Sequence, residues 1–313
     1  MTRAFVFPGQ GSQEVGMGQA LASAFPDARL VFEEVDDALD SHLSRIIFDG
    51  PQEELTLTRN AQPALMAVSM AVVRVLEGEG GLKVADVASH VAGHSLGEYS
   101  ALAAAGSLSV ADTARLLRTR GEAMQAAVPV GVGAMAAILG PSLDEVEVIA
   151  ADAAEEQVCD VANDNSEGQV VVSGSAGAVE RAVEIAKERG ARRAVLLPVS
   201  APFHCSLLGP AADVNTYALA SAEISVPNPS VVANVTAAPV TDPDEIRSLL
   251  IEQVTSRVRW RESVLAMRAL GVEELCELGA GKVLSGLTRR IDREMTSRAI
   301  GSPEDIEDFL SAC

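Results

Sequence analysis

The sequence predicts a large α/β domain with a parallel central sheet, into which a small ferredoxin-like domain is inserted. Short apolar segments typical of strands alternate with helical segments along most of the chain, as in βαβ units. Between residues 134 and 199 the order changes to β-α-β-β-α-β, the split βαβ pattern. We therefore expect residues 1–127 and 199–313 to form the large domain and residues 128–198 the small one.

The elements of the first part follow from apolar patterning. Residues 4–7 form a buried strand that runs into a glycine-rich loop at 8–13. A helix is expected over 64–76 with Pro63 as its first residue, because proline suits the first helical turn. The next elements are a strand over 87–92, a helix over 98–105 and an amphipathic helix over 110–127.

The inserted unit and the last part are predicted in the same way. The unit comprises strands over 134–139, 158–162, 169–172 and 194–199 and helices over 143–156 and 176–189, with an Asn/Gly loop between its middle strands. The chain is expected to cross between domains near Gly131 and Pro198. The remaining elements are helices over 205–222, 244–254 and 283–293 and strands over 231–234 and 274–278.

Bulk composition excludes several classes of protein. A formal net charge of −20 argues against binding nucleic acid or anionic membranes. Aromatic residues are only 3% of the chain against 48% apolar residues, so the core must be built from Ala, Val and Leu. The four cysteines are far apart and form no CxxC motif, which favours reduced thiols in a cytoplasmic protein. No signal peptide or membrane-spanning segment is expected.

A Gly-x-Ser-x-Gly run at residues 93–97 is the most informative motif. It lies between a predicted strand and a predicted helix, the setting in which such a serine becomes an exposed nucleophile. Glycines permit the tight turn, and Ser95 at the start of a helix faces N–H groups that favour negative charge. A flexible loop with an incidental serine is the alternative.

A serine nucleophile needs a base, and the chain has four histidines. His204 follows the strand predicted over 194–199, and sites gather at the carboxyl ends of strands in parallel sheets. We therefore predict His204 as the base, in the serine-then-histidine order of an α/β-hydrolase-like sheet. His90 is expected to be a core residue in the middle of a strand, His94 a packing residue, and His42 solvated. No Asp or Glu near His204 stands out as an orienting group.

Arg120 falls on the apolar stripe of the helix predicted over 110–127, between Leu117 and Met124. An inward-facing arginine needs an anionic partner. That partner is either an internal carboxylate or the carboxylate of a substrate, which a guanidinium binds with two parallel hydrogen bonds.

The loop at 9–12 follows a strand, but it lacks the third glycine of a dinucleotide fingerprint and the Gly-Lys-Ser/Thr of a P-loop. We therefore interpret it as a donor of backbone N–H groups to an oxyanion. No set of His, Cys and acidic residues has metal-ligand spacing, so we expect no metal.

Six segments in order resemble the malonyl-CoA:acyl-carrier-protein transacylase family of fatty-acid synthesis. They include the loop at 7–13, the serine motif at 93–99, Arg120-Gly121 with Met124-Gln125, the run at 162–171, Pro198–Cys205 and the run at 277–284. The match runs nearly end to end, and six motifs in order are highly specific.

The resemblance implies a set of roles. Ser95 would accept the acyl group, His204 would be its base, and Gln253 would orient the histidine through an oxygen acceptor. The N–H groups of Gln10 and Leu96 would form the oxyanion hole. The residues implied at the substrate are Arg120 as the clamp for the malonyl carboxylate, Met124 on the same helix, Phe203 as the residue that favours malonyl over methylmalonyl, and Asn163.

The resemblance also implies the substrates and partners of the protein, and it leaves two other functions open. The substrates would be malonyl-CoA and phosphopantetheinylated acyl carrier protein, with no cofactor, no nucleic acid and no membrane, and we expect a monomer. Carrier proteins of this pathway are acidic, so docking would need a local basic patch. Candidates are Lys187, Arg189, Arg192 and Arg193 on the small domain and Lys282, Arg289 and Arg290 on the large one, although each fits an ordinary solvated surface equally well. A serine thioesterase and a non-catalytic binding module are the rival functions.

Overall fold

A computed structural model describes residues 2–312, within which the chain forms fifteen α-helices and ten strands. The strands are β1 Arg3–Phe7, β2 His90–Gly93, β3 Gly133–Leu139, β4 Cys159–Ser166, β5 Gln169–Ser175, β6 Arg193–Leu196, β7 Ser230–Val232, β8 Pro239–Val240, β9 Glu274–Leu278 and β10 Thr296–Ile300. The helices are α1 Gln19–Ala24, α2 Pro26–Leu39, α3 Leu43–Asp49, α4 Gln52–Thr56, α5 Thr58–Gly80, α6 Val84–Val87, α7 Leu96–Ala104, α8 Val110–Ala127, α9 Leu143–Ala154, α10 Ala176–Glu188, α11 Gly209–Ala220, α12 Pro243–Glu252, α13 Trp260–Ala269, α14 Val283–Ile291 and α15 Pro303–Ser311.

The larger sheet has the strand order β10-β9-β1-β2-β7-β8 and is parallel except for the short edge strand β8. Its strands alternate between two cores, as buried parallel strands do. Phe5 and Phe7 pack among helices α2, α5 and α7 on one face, whereas Ala4 and Val6 pack against α13 and α14 on the other. Helices on both faces thus confirm the predicted α/β domain.

The smaller sheet is antiparallel in the order β4-β5-β3-β6, the arrangement of a ferredoxin-like unit. One face, with Ile138 and Val172, packs on helices α9 and α10. The other face, with Met135 and Val171, packs toward Phe203 and Met124 of the larger unit. The smaller sheet therefore covers one side of the space where the larger unit carries its polar residues.

Strand β4 also contacts the larger unit, at residues that lie outside its sheet. Val258 N–H donates to Ala162 O at 2.8 Å, and Asp164 N–H donates to Val258 O at 3.0 Å. The Asp164 carboxylate also accepts from Arg261 Nε at 2.9 Å and 3.1 Å on its two oxygens. Backbone and charged contacts therefore hold the smaller sheet against α13.

Two predicted elements of the first part are present but have different bounds. Helix α5 begins at Thr58 rather than at Pro63, because Thr58, Asn60 and Gln62 are buried polar residues that hide the helical pattern. The strand predicted over 87–92 starts only at His90, where pairing with β1 begins. Residues 84–87 before it form the short helix α6 instead.

Three predicted boundaries in the second part also change. Most of the predicted Asn/Gly loop is strand, because β4 continues to Ser166 through two bulges and leaves only Glu167 and Gly168 as the turn. Strand β6 ends at Leu196 instead of reaching residue 199, ahead of Pro198. The helix predicted from Cys205 begins as a 3₁₀ turn at Ser206–Leu208, and α11 starts only at Gly209. No helix within residues 2–312 is both long enough and apolar enough to cross a membrane.

Candidate active site

Ser95 occupies a sharp turn between β2 and α7. Its φ of 54° is rare for a residue with a side chain, and such strain concentrates at functional sites. A Cβ on Gly93 would lie 1.9 Å from the Gly97 carbonyl, and one on Gly97 would lie 2.2 Å from Phe7 O. Both glycines of the motif are therefore required by close backbone contacts, and Ser95 is presented at the start of a helix.

Asn234 holds this turn from the side. Its Oδ1 accepts from Ser95 N–H at 2.7 Å, and its Nδ2 donates to Gly93 O at 2.7 Å. Asn234 is fully buried just after β7, the neighbour of β2 in the sheet. Sequence reasoning missed it, although a polar residue after a central strand meets the same rule that selected His204.

The structure brings His204 to Ser95. The Ser95 Oγ lies 2.8 Å from His204 Nε2, and His204 Nδ1 lies 2.9 Å from the backbone oxygen of Gln253. A carbonyl oxygen only accepts, so Nδ1 carries the proton and Nε2 is free to accept from the serine. The orienting oxygen expected from Gln253 is thus its main-chain carbonyl.

The route by which His204 arrives differs from the one expected. Strand β6, which precedes it, belongs to the antiparallel small sheet and ends eight residues earlier, at Leu196. The intervening segment returns from the small sheet to the large one, and His204 has a φ of 58°. The carboxyl-end rule therefore selected a residue that does lie beside Ser95, but for a reason that does not apply here.

Burial keeps His204 neutral. Desolvation, followed by the nearby positive charge of Arg120, lowers the pKa of His204 to about 3. The imidazole can thus accept a proton without first losing one at neutral pH.

Arg120 is 1% exposed and is held by neutral oxygens. Its Nη1 donates to Gln62 Oε1 at 2.7 Å, and its Nη2 donates to Gln253 Oε1 at 2.8 Å and to Ser95 Oγ at 3.1 Å. Within residues 2–312 no carboxylate lies within ion-pair distance of the guanidinium, and its Nε has no hydrogen-bond partner. The internal salt bridge, one of the two alternatives for Arg120, is absent, and a buried cation remains beside the nucleophile.

A chain of polar side chains continues behind Arg120. Gln62 Nε2 donates to Thr58 Oγ1 at 2.9 Å, and Thr58 Oγ1 donates to Gln10 Oε1 at 3.0 Å. Sequence reasoning missed Gln62; a glutamine embedded among apolar residues of a buried helix was the available signal.

A cavity of about 470 Å³ contains these groups. Its lining includes every catalytic and substrate-binding residue predicted from the sequence except Gln253, namely Gln10, Ser95, Leu96, Arg120, Met124, Asn163, Phe203 and His204. The backbone N–H groups of Gln10 and Leu96 have no protein acceptor within residues 2–312. Gln253 lies behind the cavity wall and is fully buried.

The other histidines take no part in this contact. His94 lines the cavity, where its Nε2 lies 2.8 Å from Asn165 Oδ1 and its ring is tilted against Trp260. His42 is exposed, as expected. His90 is not a core residue in the middle of a strand: it begins β2, is half-buried, and its Nδ1 lies 3.0 Å from Ser89 Oγ. Nowhere in residues 2–312 do His, Cys and acidic side chains cluster as a metal site requires.

Comparisons with known proteins identify the family of the chain. A family model described as the acyl transferase domain matches residues 4–284. The malonyl CoA-acyl carrier protein transacylase of Bacillus subtilis (strain 168) is 47% identical over 305 residues, 97% of this chain and 95% of the relative.

Solved structures are similar over the whole chain. The acyl-carrier-protein-S-malonyltransferase of Bartonella henselae has a TM-score of 0.97 at 57% identity, covering 100% of this chain and 99% of that one. A malonyl-transacylase in complex with a type II PKS acyl-carrier protein has a TM-score of 0.96 at 41% identity, covering all of both chains. The chain therefore belongs to the acyl transferase family and, within it, to the malonyl CoA-acyl carrier protein transacylases.

Proposed function

We propose that this enzyme transfers malonyl from malonyl-CoA to the phosphopantetheine thiol of acyl carrier protein through a malonyl ester on Ser95. The observation that carries the proposal is the double contact of the Ser95 Oγ, 2.8 Å from His204 Nε2 and 3.1 Å from Arg120 Nη2. One contact supplies a base for the hydroxyl, and the other places a cation where an acyl group on that hydroxyl would carry its carboxylate.

In the first half-reaction the Ser95 hydroxyl gives its proton to His204 Nε2 while Oγ bonds to the thioester carbon. The carbonyl oxygen becomes an oxyanion that the free N–H groups of Gln10 and Leu96 are placed to stabilise, each by about 3–4 kcal/mol. The C–S bond then breaks, and the CoA sulfur takes the proton from His204. Malonyl remains as an ester on Ser95.

The second half-reaction reverses these steps with a different thiol. The carrier thiol gives its proton to His204 and attacks the ester carbon, the C–O bond to Ser95 breaks, and Oγ recovers the proton. The Gln253 carbonyl stabilises the imidazolium less than a carboxylate would. A thioester, which has a good leaving group, tolerates that loss.

Arg120 gives the pocket its preference for an acyl group with a second carboxylate. A guanidinium binds a carboxylate with two parallel hydrogen bonds, and here it is desolvated and has no internal anion. Phe203 and Met124 line the same cavity and pack in one apolar cluster, and the bulk of Phe203 supports a preference for malonyl over methylmalonyl. Asn163 adds a polar group to the lining.

Initial-rate kinetics with varied malonyl-CoA and carrier protein test the proposal against thioester hydrolysis. Parallel double-reciprocal lines result when the first product, CoA, leaves the covalent acyl-enzyme before the second substrate binds. We expect parallel lines and malonate release far slower than transfer. Intersecting lines would exclude the covalent route, and malonate release at the rate of transfer would make the enzyme a thioesterase.

We further propose that the acidic carrier docks on exposed cations at the junction of the two sheets. Of the candidates, Lys187 and Arg189 are already paired, with Glu184 and Asp152. Within residues 2–312, no carboxylate pairs with the exposed cations Arg192, Arg193, Lys282 and Arg289.

These unpaired cations lie on elements that meet. Arg290 Nη1 donates to Gln169 Oε1 at 2.7 Å, which connects α14 to β5. Gln169 is in register with Leu139 on β3, and Leu139 is in register with Arg193 on β6. In a chain of net charge −20, this basic junction offers an acidic partner a local attraction.

Charge reversal tests the docking surface. We expect Arg193→Glu with Arg289→Glu to raise KM for carrier protein about tenfold while malonyl loading from CoA changes less than about twofold. Lys83→Glu, an exposed cation at the start of α6, is the matched control and should alter neither reaction. An equal loss of loading and transfer, or a loss with the control, would contradict the surface.

We also propose that the enzyme is a cytoplasmic monomer, that it serves fatty-acid or polyketide synthesis, and that it needs no cofactor. Its domains are residues 1–127 with 199–313 and residues 128–198, which the separate cores of the two sheets support.

A further inference from the structure

A buried carboxylate lies one turn after the nucleophile and takes no part in the steps above. Glu98, in the first turn of α7, is 2% exposed. Its Oε2 accepts from Asn234 N–H at 3.0 Å and from Gln253 Nε2 at 2.8 Å. Within residues 2–312 no cation pairs with it directly. Burying an unpaired carboxylate costs free energy of folding, which points to a role for Glu98 in the site.

That cost is visible in its titration. Desolvation, the largest effect, raises the pKa of Glu98 to about 7, against smaller opposing effects of the hydrogen bonds from Asn234 and Gln253 and the charge of Arg120. Its partners are a main-chain N–H and a side-chain amide, which are both donors. Glu98 is therefore used as an acceptor at a point where only an acceptor fits.

The amide of Gln253 has different neighbours at its two ends. Its Oε1 accepts from Arg120 Nη2 at 2.8 Å, and its Nε2 donates to Glu98 Oε2 at 2.8 Å and to Ser95 O at 3.0 Å. If the amide were reversed, its NH₂ would face the guanidinium, donor against donor. Its oxygen would then face the carboxylate and the Ser95 carbonyl, acceptor against acceptor.

We propose that Glu98 is a positioning residue that fixes the orientation of the Gln253 side-chain amide and, through it, the guanidinium of Arg120. It rests on the proposed function, because the purpose of the orientation is to hold Arg120 for the acyl carboxylate. The amide oxygen fixes one Nη2 hydrogen and adds no charge. Glu98 thus fixes the position of the Arg120 guanidinium through the Gln253 amide, and the guanidinium keeps no direct anionic partner.

Two variants separate the acceptor from its charge. Glu98→Met is close to glutamate in size and removes the acceptor, whereas Glu98→Gln removes the charge, keeps one acceptor oxygen for Asn234 and Gln253, and replaces the other oxygen by NH₂. The test compares kcat/KM for malonyl-CoA with kcat/KM for acetyl-CoA, whose acyl group has no carboxylate for Arg120. Glu98→Met should lower the malonyl-to-acetyl ratio about tenfold, and Glu98→Gln should keep the ratio within about threefold of the parent enzyme.

A double-mutant cycle shows whether the effect passes through Arg120. In an Arg120→Ala background, Glu98→Met should leave the ratio unchanged. Thermal unfolding checks that each variant folds. If Glu98→Met does not fold, Gln253→Met removes the same amide, keeps the main-chain oxygen on His204, and should lower the ratio in the same way.

If Glu98→Met lowers kcat/KM equally for malonyl-CoA and acetyl-CoA, Glu98 has a purely structural role and the proposal is overturned. A ratio as low in Glu98→Gln as in Glu98→Met would show that charge, not amide orientation, matters, and would overturn it too. Neither result affects the malonyl-Ser95 intermediate, which is measured separately in the parent enzyme. A parent enzyme that forms no such intermediate would instead refute the proposed function.

Discussion

At the scale of single residues, neutral groups hold both His204 and Arg120 beside the nucleophile. A main-chain oxygen orients His204, and two glutamine side chains hold Arg120. A carboxylate in either place would raise the pKa of the histidine or neutralise the arginine. The site therefore keeps an uncharged base and an unneutralised cation around one hydroxyl.

Arg120→Ala should reduce kcat/KM for malonyl-CoA by about 100-fold or more, because a desolvated charge-assisted contact is lost. Acetyl-CoA, which lacks the second carboxylate, should lose far less. Arg115→Ala, an exposed position on the same helix, is the control and should leave both values unchanged. An equal loss of kcat/KM for malonyl-CoA and acetyl-CoA in Arg120→Ala would make Arg120 a structural residue.

The lowered pKa of His204 predicts an unusual pH profile. With a pKa of about 3, the imidazole stays neutral as the pH falls from 8 to 5.5. An ordinary histidine with a pKa of about 6.5 would lose about 90% of its neutral form at pH 5.5. Rapid-quench measurement of malonyl-enzyme formation should therefore show no fall centred near pH 6.5. A tenfold lower rate constant at pH 5.5 would contradict the assignment.

At the scale of elements, the central strands end in the groups that surround the nucleophile. The loop with Gln10 follows β1, Ser95 follows β2, and Asn234 follows β7, three neighbouring strands of one sheet. The turn at Ser95 fits only because glycines flank it. The sheet thus presents the serine, and its neighbours support the turn.

Gly97→Ala should disrupt this turn, because the added Cβ would lie 2.2 Å from Phe7 O. We expect a loss of more than about 2 kcal/mol in the free energy of unfolding and loss of malonyl loading. Gly286→Ala in α14 meets no atom within 4 Å and should be neutral or stabilising by up to about 1 kcal/mol. Denaturant unfolding and loading assays check both variants, and a Gly97→Ala enzyme of parent stability would contradict the packing argument.

Much of this site could be predicted from local sequence pattern. The serine turn is a short motif with its own geometry, and Arg120 is conspicuous as a charge on an apolar stripe. Glu98 and Gln62 could not be assigned roles, because their partners lie 155 and 58 residues away in the chain. The Asn-rich end of strand β4, after residue 162, was predicted as a loop because it is held by Val258, a contact that no local pattern contains.

At the scale of the whole molecule, the cavity exists because the smaller sheet is fixed over the larger one. Asp164 on β4 is fully buried, and Arg261 on α13 pairs with it through both carboxylate oxygens. His94 and Asn165 add a second contact between the units beside the cavity. These polar contacts add to the apolar packing of Met135 and Val171 against Met124 and Phe203, and together they fix the relative position of the two sheets.

Arg261→Ala should destabilise the fold by about 3 kcal/mol at neutral pH, because it leaves the Asp164 carboxylate buried and unpaired. Desolvation already raises the pKa of Asp164, with Arg261 opposing it. Without Arg261 that pKa rises further, so the folded variant binds more protons than its unfolded chain, and its stability falls as pH rises above about 4.

Urea unfolding at pH 5 and pH 7 checks this sign, with Arg268→Ala as the control for a half-exposed pair. The deficit of Arg261→Ala should be larger at pH 7 than at pH 5, while the control should show no such trend. A larger deficit at pH 5 would contradict the burial argument.

Intact-mass and peptide mass spectrometry of the enzyme mixed with malonyl-CoA, before any carrier protein is added, tests the central claim most directly. We expect a single malonyl adduct on the peptide containing Ser95, discharged by addition of holo carrier protein and absent in Ser95→Ala. An adduct that persists in Ser95→Ala, or transfer to carrier protein by that variant at the parent rate, would contradict the account.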